Sequence, residues 1–153
     1  MRILGLVLAM MVVAAPVLAD KRPAKGAKGL DVYAGKLVIS PDTPPTVADE
    51  LVAFLKANIT KDASYDLIKG PPWPFHLVAV LAKDQKQVTL VVADKDDKKL
   101  TPLISIDLVP AHRLVIAHSE ATVAAGFAAR KTYVVRLLAG KTVLAKSELT
   151  LRD

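Results

Sequence analysis

Three histidines, His76, His112 and His118, are the side chains best suited to chemistry in this sequence. Neutral imidazoles bind transition metals and transfer protons, so a metal or catalytic site needs several of them to converge. The spacings H-x-H and H-E-x-x-H are absent. His112 and His118 could meet only if the strands bring them together. We therefore expect surface or half-buried histidines, with no metal site and no cofactor.

Nucleophilic catalysis is not indicated by the local sequence. Ser119 stands between His118 and Glu120, but adjacent residues of a strand point to opposite faces and cannot build a triad. There is no G-x-S-x-G motif and no cysteine. The sequence predicts no catalytic residue and a protein that is not an enzyme. The alternative is a hydrolase whose site is assembled from distant residues such as His76, His118 and Asp107.

The acidic segment that begins at Asp94 resembles the opening of a calcium-binding loop. The resemblance ends at the sixth position, where Lys99 replaces the required glycine, and at the twelfth, where Ser105 replaces glutamate. Lysines in the segment would also repel a cation. The sequence therefore predicts a charged hairpin turn.

The first nineteen residues have the pattern of a secretory signal peptide. Arg2 precedes an apolar run from Ile3 to Ala19, which ends in the small-residue site Val17-Leu18-Ala19. The alternative is a retained membrane anchor. Cleavage near Ala19 predicts a secreted or periplasmic protein without a transmembrane segment in the mature chain. Without cysteines, the exported domain must be stable through its own core.

Residues 20–30 read as a basic flexible tether because they combine glycines and a proline with cations and show no apolar periodicity. Removal of Arg2 with the leader lowers the net charge of +6 by one. The tether is either a solvated spacer or a candidate contact with an anionic polymer. Its cations are Lys21, Arg22, Lys25 and Lys28.

Residues 31–153 are predicted to form a single domain around two apolar runs. Phe75–Ala82 and Val88–Ala93, joined by a polar link, predict a β-hairpin whose strands both lie inside a packed structure. Before them, Thr46–Asn58 predicts a helix with a capping box at Thr46, although a strand through Leu51–Leu55 is the alternative. Asn58 is expected to end the helix in a left-handed conformation. Trp73, in a proline-rich turn, is a candidate exposed contact, although a tryptophan that fills the end of the sandwich is the commoner case.

The remaining chain continues with alternating strands. Thr132–Leu138 and Val143–Leu151 form the clearest hairpin, with Tyr133 and Val143 among the residues expected to face inward. About eight strands and one short helix near the N-terminal side of the domain predict a mostly β fold. From Phe75 to Leu151 the pattern resembles an immunoglobulin-like β-sandwich, in which Tyr133 takes the place of the corner tyrosine. Such a resemblance concerns the fold and transfers no activity.

Taken together, these patterns indicate an exported, non-enzymatic binding or accessory module of a bacterial cell envelope. Its partner would be an envelope protein or polymer. The alternatives are the hydrolase described above and a polyanion-binding protein that acts through its basic tail.

Overall fold

Eight β-strands and one α-helix make up the protein in a computed structural model that describes residues 29–67 and 69–153. The predicted signal peptide and most of the predicted tether lie outside the described residues. The strands are β1 (Lys36–Ser40), β2 (Ser64–Leu67), β3 (Trp73–Val80), β4 (Val88–Asp94), β5 (Pro102–Leu108), β6 (Leu114–Ala121), β7 (Thr132–Ala139) and β8 (Thr142–Leu151). The helix is α1 (Ala48–Asn58), and a 3₁₀ turn covers Asp31–Tyr33.

Two sheets enclose the core. One has three antiparallel strands in the order β1-β3-β6, and the other has five in the order β2-β8-β7-β4-β5, with β2 parallel to β8. Side chains of both sheets, such as Phe75 and Leu137, belong to one buried cluster. Ser147 Oγ of β8 donates to Leu37 O of β1 (2.5 Å), which links the two sheets along one side. The prediction of a mostly β protein with two packed sheets is confirmed.

The helix is confirmed, but its ends differ from the prediction. It begins at Ala48, after Val47, and no side chain caps its N-terminus, so the capping box at Thr46 does not form. Asn58 does not adopt the left-handed conformation; its Nδ2 donates to Phe54 O (2.9 Å) and satisfies a carbonyl near the helix end. Leu51 and Leu55, one turn apart, are buried and anchor the helix.

The predicted central hairpin is wrong, although its two strands exist. β3 is the middle strand of the three-stranded sheet, whereas β4 lies between β7 and β5 in the other sheet. The polar link therefore crosses from one sheet to the other. Both strands do lie inside their sheets, as their apolar faces indicated, because an interior strand has a partner strand on each side.

The hairpin of β7 and β8 is confirmed. Tyr133 is fully buried, and its hydroxyl accepts a hydrogen bond from the Ala128 N–H (2.8 Å), closing the loop that precedes the strand. Val143, however, is 48% exposed, so its inward assignment is wrong. The pairing shifts by one residue between Leu137 and Leu138, and Val143 consequently lies on the outer face.

Candidate functional site

A pair of histidines occupies the outer face of the three-stranded sheet. His76 of β3 lies directly opposite His118 of β6 in the antiparallel register, and their ring centroids are 5.8 Å apart with the planes tilted by 33°. Such directly opposed residues have Cβ atoms about 4.5–5.5 Å apart, which permits contact between their side chains. The strands thus bring together two of the three histidines that the sequence scattered.

The pair lies where the covered part of this face meets solvent. On β3 the outward residues after His76 are Val78 and Val80, and both are buried. Helix α1 packs against β1 and the 3₁₀ turn packs against β3. His76 is half-buried and His118 is exposed. One imidazole is therefore partly desolvated while the other remains open to a ligand from solution.

The surroundings favour the neutral form of the half-buried histidine. Burial lowers the pKa of His76 below its usual 6.5, and the nearby His118 lowers this pKa further, against a smaller opposing effect of Asp42. The Thr43 hydroxyl is 3.5 Å from His76 Nε2, at the limit of a hydrogen bond. At neutral pH the His76 ring consequently keeps a lone pair that can accept a proton or bind a metal.

The geometry suits two-point chelation. Two imidazole nitrogens on one zinc ion are separated by at most about 4 Å, twice the metal–nitrogen distance of about 2.0–2.1 Å. Side-chain rotation of the two accessible rings can bring one nitrogen of each within that separation. In residues 29–67 and 69–153, no group of three or more histidine or acidic side chains could hold a metal ion. The pair would therefore supply two ligands, with water in the other positions.

The structure separates Asp107 from the two histidines that the sequence grouped with it as an alternative hydrolase site. Asp107 lies on β5 of the other sheet and accepts a hydrogen bond from the Thr89 hydroxyl (2.8 Å). Ser119 faces the core, opposite Phe75, while its neighbour His118 faces outward. The third histidine, His112, is exposed in a turn with a positive φ of 58°. These residues do not meet in one cleft.

The acidic segment after β4 forms the predicted charged turn between two antiparallel strands. Asp97 accepts hydrogen bonds from the backbone N–H groups of Thr101 and Lys99, and these bonds hold the pKa of Asp97 below its ordinary value. The Lys131 ammonium, which binds Asp94, lowers the pKa of that carboxyl in the same direction. The carboxylates organise the turn and its neighbour.

Trp73 is buried, so the candidate exposed contact is wrong and the alternative of a tryptophan inside the sandwich is the one that the structure shows. Its side chain is 1% exposed, and its indole Nε1 donates to Arg152 O (2.7 Å) near the end of the chain. The ring lies against Gly70, where an added Cβ would stand 2.0 Å from Nε1. The proline-rich turn therefore directs the tryptophan into the sandwich, because burial of its ring is favourable once the N–H has a partner.

Arg136 is a site residue that the sequence reading missed. It lies on the outer face of β7, and its Nε is buried without a hydrogen-bond partner. Its neighbour across the β7–β8 ladder is Lys146, so two cations stand opposite each other. The sequence did indicate this pair. Alternation along the two strands of the best-defined hairpin places both residues on the face that points away from the core.

The four cations proposed for polyanion contact, Lys21, Arg22, Lys25 and Lys28, lie outside the described residues. Within the described residues, no helix is long and apolar enough to cross a membrane.

Comparison with known proteins yields only distant structural likenesses. No protein-family model matches the chain, and no curated protein is similar to it. A solved structure that matches is the Pseudomonas fluorescens alkylpurine DNA glycosylase AlkC bound to DNA containing an abasic site analog. The identity is 19%, the TM-score is 0.27, and the match covers 61% of this chain and 28% of the glycosylase.

This comparison corrects the leading functional hypothesis. The sequence indicated an exported, non-enzymatic module of a bacterial cell envelope, whereas the structural match is a DNA glycosylase, and we carry the envelope hypothesis no further. A TM-score of 0.27 is also too low to transfer the glycosylase's activity or its DNA to this chain. The function is therefore argued from the side chains of the site alone.

Proposed function

We propose that this protein binds a divalent transition-metal ion through His76 and His118. The observation that carries the proposal is their register: the two imidazoles stand directly opposite each other on adjacent antiparallel strands. The strands are part of the core, so the ligands are held on a rigid frame before the metal arrives. This departs from the sequence expectation of a protein without a metal site.

The chemistry of the ligands selects the metal. Imidazole nitrogens favour copper, nickel and zinc, while magnesium and calcium favour oxygen ligands. Among divalent first-row ions, affinity rises from manganese to copper and falls again at zinc. We therefore expect copper(II) to bind most tightly, nickel(II) and zinc(II) less tightly, and magnesium(II) not at all through this pair.

The test is a titration of the untagged protein with copper(II), followed by electron paramagnetic resonance for nitrogen ligands. His76→Ala and His118→Ala should each weaken binding by more than the roughly 10–100-fold that loss of an outer partner of a ligand costs. His112→Ala is the matched control, because it removes the remaining histidine from a separate turn. Its affinity for copper should equal that of the parent.

Two results would overturn the proposal. One is a parent protein that shows no nitrogen-coordinated copper. The other is binding that survives both single substitutions but is lost in His112→Ala. Thermal unfolding gives an independent readout, since a ligand at 100 times its dissociation constant stabilises the folded state by about 2.7 kcal/mol. This stabilisation should disappear in either single variant at the same copper concentration.

For the fold, we propose an immunoglobulin-like topology. The order β1-β3-β6 beside β8-β7-β4 supports it, since strands A, B and E and strands G, F and C of such domains are arranged in this way. The bond between the Tyr133 hydroxyl and the Ala128 N–H also supports it, because it reproduces a tyrosine corner at the start of the penultimate strand.

For the location, we propose that residues 1–19 are a cleaved signal peptide and that the mature protein is secreted or periplasmic. The apolar run and the small-residue site at Val17-Leu18-Ala19 support this proposal. Mass spectrometry of the protein recovered from its natural host tests it. A chain that begins at Asp20 supports cleavage, whereas a chain that retains Arg2 contradicts it.

A further inference from the structure

Two cations lie opposite each other on the outer face of the five-stranded sheet. Arg136 of β7 and Lys146 of β8 are direct cross-strand partners, and no described residue forms an ion pair with either. Like charges directly opposite each other destabilise a sheet. The arrangement therefore costs stability unless an anion joins the pair.

Three acids of the same face have other partners. Glu148 binds Lys95 (2.9 Å), Asp107 accepts from Thr89 (2.8 Å), and Asp66 pairs with Arg152 (3.2 Å). Two of these acids are thus paired with another cation, and the third accepts from a neutral hydroxyl.

The guanidinium itself carries a second, independent sign of a missing partner. Arg136 Nε is shielded from solvent and has no hydrogen-bond acceptor among the described residues. A shielded charged donor without a partner is unfavourable. The neighbouring outward residues Val91 and Val134 are each only 4% exposed. The stem of Arg136 therefore lies on an apolar surface. Because Nε is shielded, an oxyanion would form a charge-assisted hydrogen bond with it only after the Arg136 side chain changes rotamer.

From these observations we infer that Arg136 and Lys146 form a binding site for one oxyanion, a carboxylate or a phosphate group. The guanidinium offers two parallel donors to such a group, and the ammonium of Lys146 offers a third. Glu148 lies in the adjacent row and is already bound to Lys95.

The next row in the other direction indicates what the oxyanion is attached to. Leu138 is half-buried, and Val143, its partner across the ladder, is 48% exposed on the same outer face. An apolar group that continues from the oxyanion would cover these two side chains and bury their surface. The ligand class is therefore an oxyanion joined to an apolar group, as in a short alkyl carboxylate.

Nuclear magnetic resonance of the full protein tests the site through the Arg136 Nε–Hε signal. Hexanoate should shift this signal, acetate should do so at higher concentration, and hexanol should leave it unchanged. Inorganic phosphate is the fourth probe: a shift at lower concentration than acetate would assign the site to phosphate, and the reverse would assign it to carboxylate.

Substitutions locate the binding. Arg136→Gln should weaken hexanoate binding at least about tenfold, since a hydrogen bond to a charged group is lost. Lys146→Gln should weaken it about twofold to fivefold, the usual size of an accessible charge interaction. Lys141→Gln, an exposed lysine in the turn of the same hairpin, is the matched control and should change nothing. Arg136→Lys keeps the charge but loses the paired donors, so it tests the site if Arg136→Gln fails to fold.

Three results would overturn the inference: no probe shifts the Arg136 signal, hexanol binds as well as hexanoate, or Arg136→Lys and Lys146→Gln bind hexanoate like the parent. The site is independent of the proposed metal site, which lies on the outer face of the other sheet. Arg136→Gln should therefore leave copper binding intact.

Discussion

Polar atoms that face the core and polar atoms on the outer faces of this protein differ in whether they have favourable partners. Facing inward, three side chains reach backbone partners, one of them nearby in the chain and two in distant parts of it. The Tyr133 hydroxyl accepts from Ala128 N (2.8 Å), the Trp73 indole donates to Arg152 O (2.7 Å), and the Ser147 hydroxyl donates to Leu37 O (2.5 Å). These bonds are the usual condition for placing a polar atom inside a core.

On the outer faces, two cross-strand pairs bring like basic groups together. His76 and His118 can shed their protons, and the lowered pKa of His76 shows that its surroundings favour this. Arg136 cannot lose its charge and keeps an unpaired Nε. The hydrogen bonds of the inward polar groups thus stabilise the fold. The outward pairs instead place like basic groups side by side, which is unfavourable. Such a difference is expected where ligands provide the missing partners.

Removal of the tyrosine anchor should have the largest effect. Tyr133→Ala should lower the free energy of unfolding by roughly 3–5 kcal/mol, because both the packing of a fully buried ring and a backbone partner are lost. Tyr133→Phe should cost only about 1 kcal/mol, the net contribution of one hydrogen bond. Urea melts measure both, with Lys141→Ala as the surface control. If Tyr133→Ala melts with the parent, the distinction between inner and outer polar atoms fails.

Crowding of the Trp73 indole should lower the free energy of unfolding by less than Tyr133→Ala does. In Gly70→Ala the new methyl group would stand 2.0 Å from Trp73 Nε1, so the ring must move, and such overpacking costs about 1–3 kcal/mol. Trp73 is the only tryptophan, so fluorescence reports the change directly. We expect a lower urea midpoint and a red-shifted emission. Unchanged emission together with an unchanged midpoint would show that the indole is free to move away from Gly70.

A substitution on the outer face should raise the free energy of unfolding instead of lowering it. Arg136→Met keeps much of the stem but removes the like charge and the unpaired donor, so it should raise the free energy of unfolding by about 0.5 kcal/mol. The matched control is Arg152→Met, which instead breaks the ion pair with Asp66 and should be neutral or slightly destabilising. Urea melts in buffer without carboxylates or phosphate distinguish the two. Destabilisation by Arg136→Met would mean that the arginine stabilises the empty fold.

Substitution in the histidine pair should have the smallest effect on stability, and this effect should appear only at acidic pH. Because the pKa of folded His76 is below the unfolded value of 6.5, its contribution is complete above pH 6.5 and is lost as the pH falls through the folded pKa. His76→Gln should therefore lose less stability than the parent between pH 7.5 and pH 5. Asp94 and Asp97, whose pKa values are also lowered, affect stability only near and below pH 3.8. Equal losses in parent and variant would contradict the environment assigned to His76.

Local patterns were sufficient for most of the strands and for the tyrosine. Alternation along β7 placed Tyr133 inward, and the partner of its hydroxyl lies five residues away, within the range of a local argument. The same reasoning failed at Val143, because a single bulge reverses the parity of every residue beyond it. It also failed for the link between β3 and β4, since an apolar strand next to a short link can pair with its neighbour or cross to the facing sheet.

The sequence alone determined that the chain forms β-strands around one helix, that it lacks cysteine, and that Tyr133 anchors its best-defined hairpin, because each of these depends on composition or short-range periodicity. Only the tertiary structure decided the neighbours of the reactive groups. His76 and His118 are 42 residues apart and meet through the pairing of β3 with β6, and Trp73 finds its acceptor 79 residues further along the chain. Arg136 forms no ion pair with a described residue, and strand pairing, which is a long-range choice, puts Lys146 opposite it.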